Sequence, residues 1–412
     1  MNNNMWQKYK LSEIGTIVGG ATPSTKNDAY YGGDIPWLTP KDLSSFNERY
    51  IEKGERCITQ EGLRSCSAKI LPADSVLFSS RAPIGYVAIA KNDVATNQGF
   101  KSIVPNENTN SLFLYYLLVF NKEKIEAMGS GTTFKEVSGA TMKNIEVCLP
   151  SLSEQERIAA ILGSLDDKIE LNNKINANLE AQAQALYKQW FVDFEFPDTD
   201  GNPYKSAGGK SIDSLLGAIP EGWRIGKFTD IVSILGGGTP KTTIDSYWGG
   251  EIPFFTPKDV GDACYVFDTE KYITTEGLNN CNSRLYPKNT IFITARGTVG
   301  KIALAGCNMA MNQSCYALVG KEGYNQLYVY NLTQQTISAL KGKANGAVFD
   351  AITTRDFESE NIIIPTLAVV ADYNSVVESI YESIHLNVQE NQRLVQLRDS
   401  LLPKLMNNEI KQ

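Results

Sequence analysis

The chain states one pattern twice. Thr22-Pro23, Tyr31-Gly32-Gly33-Asp34-Ile35-Pro36 and Thr39-Pro40-Lys41-Asp42 return 217 positions later as Thr239-Pro240, Trp248-Gly249-Gly250-Glu251-Ile252-Pro253 and Thr256-Pro257-Lys258-Asp259. Further along the displacement is 215. There Ile58-Thr59, Glu61-Gly62-Leu63, Cys66, Arg81, Gly85, Asn97-Gln98 and Phe134 answer to Ile273-Thr274, Glu276-Gly277-Leu278, Cys281, Arg296, Gly300, Asn312-Gln313 and Phe349. An offset this constant, with a single two-residue slip, requires two copies of one domain. Two similar domains in one chain suit the gripping of two similar objects at a fixed separation.

The 412 residues leave room for two ordinary domains and their connections, and 42% hydrophobic against 21% charged residues provides for buried cores. The opening Met1-Asn2-Asn3-Asn4-Met5-Trp6 lacks the basic and apolar regions of a signal peptide, and no apolar run reaches membrane-spanning length. A cytoplasmic location is expected. The seven cysteines include no Cys-x-x-Cys pair and are expected to be buried thiols, Cys66 and Cys281 as equivalent core sites. The formal net charge of −7 argues against a nucleic-acid partner only if it is evenly spread. It is not: the repeated segments are nearly balanced, and the acidic excess lies between and after them.

Each repeat reads as α+β. Short strands bounded by Gly and Pro, such as Val76-Leu77-Phe78 and Val87-Ala88-Ile89-Ala90, precede helices predicted over 111–128 and 325–343, the first with Leu112, Tyr115, Tyr116 and Val119 on one face. Beyond Pro150 the text changes. Ser153-Glu154-Gln155-Glu156 is a capping box, Gly and Pro vanish but for Gly163, and Ile158, Ile161, Leu165, Ile169, Asn172, Asn176, Leu179, Ala183, Leu186 and Trp190 form a heptad-like stripe. The closing segment repeats it with Tyr373, Val376, Ile380, Ile384, Asn387, Asn391, Leu394, Arg398, Leu401 and Leu405 or Met406. A stripe this narrow suits a helix that pairs with a partner helix. At 1.5 Å per residue each would be about 57 Å long. The asparagines either face solvent or sit in the seam and penalise shifted pairings.

The expected architecture is therefore two similar domains, 1–150 and 223–365, with a central helix over 151–196, a linker over 197–222 and a closing helix over 366–412. Packed antiparallel, the helices would form a rod on a pseudo-two-fold axis, with a domain at each end. Duplex DNA is a natural ligand for such a spacer, since its groove repeats about every 34 Å.

Catalysis has little support. The lone His385 rules out a Ser-His-Asp or Cys-His pair elsewhere. Gly208-Gly209-Lys210-Ser211 resembles the end of a phosphate loop, but Tyr204 stands where its first glycine is required. Residues shared by both copies should be scaffold or phosphate contacts: Thr39/Thr256, Lys41/Lys258, Arg81/Arg296 and Asn97/Asn312. Arg81 could equally be tied in an ion pair. Base-reading candidates are the turns that differ between copies, which contribute Lys26, Asn47, Arg49, Thr132, Lys135 and Lys241. Thr22 and Thr298, in the same turns, complete the candidate surface.

These residues resemble the specificity subunit of type I restriction-modification enzymes, over essentially the whole chain. The resemblance rests on Ile219-Pro220-Glu221-Gly222-Trp223, Leu149-Pro150-Ser151-Leu152-Ser153-Glu154-Gln155, Tyr187-Lys188-Gln189-Trp190-Phe191-Val192-Asp193-Phe194 and Ser400-Leu401-Leu402-Pro403-Lys404-Leu405-Met406. It implies two target-recognition domains, each reading half of a split DNA sequence, and two helices that set the gap. It implies a non-catalytic chain docked to two modification (methyltransferase) subunits and, in the full nuclease, to restriction subunits. S-adenosylmethionine, ATP and magnesium would belong to those partners, with no cofactor on this chain. One departure is Ala368-Val369-Val370, where the family pattern has Glu-Gln, so the closing helix is expected to begin near Asp372. Tandem domains that bind carbohydrate or protein, and a self-contained DNA-modifying enzyme, are the competing readings.

Overall fold

The computed structural model describes residues 6–44, 46–81, 83–131, 135–343 and 351–410. It divides into two units, one joining the residues up to Glu170 with those from Arg393 onward, the other running from Leu171 to Gln392.

The first unit contains β1 (Gln7–Lys10), β2 (Gly15–Gly19), β3 (Tyr31–Leu38), β4 (Tyr50–Ile51), β5 (Arg56–Ile58), β6 (Val76–Ser80), β7 (Ile84–Ala90), β8 (Ala95–Thr96), β9 (Lys101–Pro105) and β10 (Glu146–Leu149). They form a five-stranded sheet ordered β2-β9-β6-β7-β4, a three-stranded sheet β5-β3-β8 and a ribbon β1-β10. The central β6 is buried throughout, as its apolar run predicts. Its alternating side chains serve two cores: Val76 and Phe78 face the helices, and Leu77 packs with Leu38, Leu43 and Phe100.

The second unit opens with a small hairpin, β11 (Ser211–Ile212) and β12 (Ile219–Pro220), then β13 (Arg224–Lys227), β14 (Val232–Gly236), β15 (Trp248–Phe255), β16 (Tyr265–Val266), β17 (Tyr272–Ile273), β18 (Ile291–Thr294), β19 (Ile302–Ala305), β20 (Ala310–Met311), β21 (Cys315–Gly320) and β22 (Asn361–Ile364). Its sheets run β14-β21-β18-β19-β16 and β17-β15-β20, with a ribbon β13-β22. Every pairing of the first unit's sheets recurs, including the parallel ones. The written repeat is thus a repeated α+β fold, called here a head.

Two long helices cross the division between the units, Leu152–Phe191 and Leu367–Met406. Within the second unit they run antiparallel. Asn387 donates to Asn176 at 2.8 Å, Asn172 donates to Glu390 and Asn391, both at 2.8 Å, and Tyr373 donates to the Ala183 carbonyl at 3.3 Å. Within the first unit they again run antiparallel, with Ile158, Ala159 and Leu162 in one core with Leu402, Leu405 and Met406. Asn172 and Asn176 therefore sit in the seam, buried.

The helix boundaries correct two expectations. The first helix starts at Leu152 behind the Ser151 carbonyl, so Ser153 is not its cap. Gln155 instead turns into the head, where it accepts from the Asn110 amide at 3.0 Å and donates to Asn108 and Pro150 carbonyls. The second helix starts at Leu367, a turn earlier than expected. Val370 occupies the place equivalent to Gln155 and is fully buried, so apolar packing supports the turn where the polar pair is missing. Val376 is exposed and Val377 buried in its stead, because this helix has a second apolar stripe facing its head. The predicted helix over 111–128 is broken at Asn121, and Phe113, Leu114, Tyr116, Leu117 and Leu118 form its buried face. Cys66 and Cys281 are only half-buried, their thiols directed at helix carbonyls.

In the second unit the Tyr187–Phe194 segment is an aromatic anchor. Phe191 lies 4.9 Å from Tyr328, 5.0 Å from Tyr373 and 5.9 Å from Trp223, centroid to centroid. The stretch after it stays attached through Phe196, stacked on Tyr204 and Trp223. No described helix is long and apolar enough to cross a membrane.

Candidate nucleic-acid interface

In each head four turns meet through the same backbone bonds. In the first, the Asn97 amide donates to Leu38 at 2.9 Å, Ser80 to Gly99 at 2.7 Å, Val137 to Ser80 at 2.9 Å and Ala21 to Thr96 at 3.0 Å. In the second, Asn312 donates to Phe255 at 2.9 Å, Ala295 to Ser314 at 2.8 Å, Ile352 to Ala295 at 3.0 Å and Gly238 to Met311 at 3.2 Å. Gly20 and Gly237 make the meeting possible: a Cβ on either would stand 2.2 Å from the carbonyl of Asn97 or Asn312.

Several shared candidates hold this scaffold together. Thr22 donates to Gln98, as Thr239 does to Gln313. Thr39 and Thr256 each give backbone and hydroxyl bonds of 2.7 Å to Asp42 and Asp259, closing the turns that carry Lys41 and Lys258. Asn97 and Asn312 accept from the amides of Gly99 and Ser314. Side chains of this type fix a turn and leave its neighbours to make contacts.

The cations at the rim are exposed. Lys41 lies 2.9 Å from Glu55 and Lys258 3.6 Å from Glu270, the same surface pair in each head. Screened pairs of this kind contribute little to stability and can exchange partners. Arg81 lies 3.8 Å from Glu136 and remains about a third exposed, so the ion-pair alternative is present in weak form. Arg296 and Thr298 are exposed on the matching turn, where Gly297 approaches Pro257. Lys26, Asn47, Lys135 and Lys241 are exposed. Thr132, with Phe134 and Phe349, lies outside the described residues.

Arg49 is a correction. It is 3% exposed, with its guanidinium turned away from the turns and into the first long helix. Its Nε donates to Glu170 at 3.0 Å, Nη2 to Asp167, Nη1 to the Gly163 carbonyl at 3.3 Å, and its backbone amide to Glu170 at 3.1 Å. Its charge is committed there and is unavailable to a base edge. Near it, Tyr116 donates to Asp166 at 2.5 Å and Arg398 donates to the same carboxylate at 2.7 Å, joining head and both helices within the first unit. Sequence reasoning missed these contacts; the lone Gly163 in an otherwise uninterrupted helix was the available signal.

His385 is buried on the second long helix, its Nε2 2.9 Å from the Gly306 carbonyl and its ring against Tyr265 and Phe267. Among the described residues no group of His, Cys, Asp and Glu is placed to hold a metal ion. Burial pushes the Cys264 and Cys315 thiols up, away from the reactive thiolate.

Comparison with known proteins agrees with this construction. The chain is 34% identical to the type I restriction enzyme MjaIX specificity subunit of Methanocaldococcus jannaschii, over 98% of this chain and 94% of that one. It is 26% identical to the HindI specificity subunit of Haemophilus influenzae, over 100% and 98% of the two chains. The type I restriction-modification S subunit from M. genitalium shares the fold at a TM-score of 0.60, with 15% identity over 98% of this chain and 97% of that one. The family described as the type I restriction modification DNA specificity domain matches at residues 3–181 and again at 220–394, once for each head. The chain belongs to the type I restriction modification DNA specificity domain family.

Proposed function

We propose that this chain is the DNA-reading subunit of a type I restriction-modification assembly, and that each head reads one half of a split duplex target. One observation carries the reading: the two heads build the same turn scaffold from the same hydrogen bonds, yet place different polar side chains on it. A shared frame suits the repeating phosphate backbone, and the differing side chains suit two different base sequences. Lys41, Lys258, Arg81 and Arg296 are assigned to phosphates. Lys26, Asn47, Lys135 and Lys241 are assigned to base edges.

The chain itself performs no chemistry in this reading. Two modification subunits dock on it and restriction subunits join them; S-adenosylmethionine, ATP and magnesium act in those partners. Leu171 and its repeat equivalent Leu386, 52% and 53% exposed on the two long helices, supply matched apolar contacts for two copies of one partner. A mobility-shift selection from random duplexes, run with the modification subunits present, should recover a split motif with a fixed gap. Glycan binding without DNA enrichment would refute the reading.

A further inference from the structure

The two heads are fixed to the long helices by unlike chemistry. Arg49 and Cys264 are equivalent, each preceding the paired strand β4 or β16. Arg49 enters by way of the loop that carries the two-residue slip, seven residues long against five in the second copy. Opposite it stand Asp167 and Glu170, whose equivalents in the second copy are Glu382 and His385. The first joint is thus a planar guanidinium bonded to three acceptors spread from Gly163 to Glu170. The second is a buried thiol bonded to the Glu180 carboxyl, with the His385 ring packed on Tyr265 and Phe267 and its Nε2 2.9 Å from the Gly306 carbonyl. A fork of oriented charge-assisted bonds to three points along one helix fixes rotation about that helix and position along it. Gly163 belongs to this device: a Cβ there would lie 3.0 Å from Leu112 and 3.4 Å from Arg49 Nη1.

We propose that Arg49 is a positioning residue: the clamp it makes on Gly163, Asp167 and Glu170 sets the angle of the first head on its helix. A fixed angle makes the gap between the two half-sites single-valued. The proposal rests on the split-target reading above.

Selection from random duplexes with the assembled complex measures the gap directly. Arg49→Met with Glu170→Gln removes the clamp without stranding a buried charge. Arg49→Lys keeps the charge and loses the fork, and carries the test if the double variant does not fold. Both should keep the bases of each half-site and spread the selected gap over adjacent lengths. Affinity for the wild-type gap should fall roughly tenfold. A folded variant that keeps one gap at wild-type affinity overturns the proposal, as does loss of base identity in one half-site at an unchanged gap. A wild-type complex that yields no split motif overturns the underlying reading, and the proposal with it.

Discussion

Replacing Asp166 with alanine tests how the first unit holds its head to both helices. Asp166 is 5% exposed and accepts from Tyr116, itself 1% exposed, and from Arg398. Removing the carboxylate leaves the Tyr116 hydroxyl buried without this acceptor, a cost of about 1–3 kcal/mol. Arg398 is partly exposed and keeps Asp399, so its share is a discounted 0.5–1 kcal/mol, roughly. The expected loss is about 1.5–4 kcal/mol. Asp166→Asn retains an acceptor for Tyr116 and should cost less. Tyr116→Phe alone should cost about 1 kcal/mol, and the double variant Asp166→Ala, Tyr116→Phe should fall short of the summed losses by at least about 1 kcal/mol. Denaturant unfolding followed by tryptophan fluorescence reports on the unit, because Trp6 packs on Phe113 beside this site. Additive single losses, or an Asp166→Ala cost below about 0.5 kcal/mol, would refute the network.

Three further predictions concern other sites. Gly163→Ala would ordinarily stabilise a helix by about 1 kcal/mol; here the methyl group meets Leu112 and Arg49, so thermal melting should show no gain or a loss. Burial raises the Glu180 carboxyl, with the Cys264 bonds opposing it. A raised acid stabilises the fold below its unfolded pKa and loses that contribution as pH rises through the folded one. Glu180→Gln should therefore raise the melting temperature at pH 7, with the gain shrinking as pH falls towards the ordinary carboxylate range; a constant gain at every pH would contradict this. Lys41→Ala with Lys258→Ala should leave melting unchanged and reduce the salt slope of DNA binding by roughly 1–2, read from titrations at several salt concentrations.

What could be read from the residues was what repeats or lies close in sequence. The constant offset implied two like heads, and both show the same strand order. The repeated stripe implied a helix that pairs with its partner, and the asparagines, which the residues alone leave between solvent and seam, meet there: Asn172 with Asn391 and Asn176 with Asn387. Helix 111–120 is apolar almost all round, so periodicity could not select its buried face. The second long helix carries two apolar stripes, one for its partner helix and one for a head, so a single-stripe spacing points to Val376 although Val377 is the buried residue. Arg49 was hardest to read because its partners lie 114 to 121 positions away. A surface-like Asn-Glu-Arg run gives no sign that its arginine is buried.

The central claim is that the helix pair is a ruler between two DNA-reading heads. One heptad inserted into each long helix at the asparagine layer keeps the pairing and lengthens each helix by roughly 10 Å, close to three base pairs of rise. Selection from random duplexes should then return both half-sites unchanged, with a gap wider by about three base pairs. The same half-sites at the original gap would contradict it.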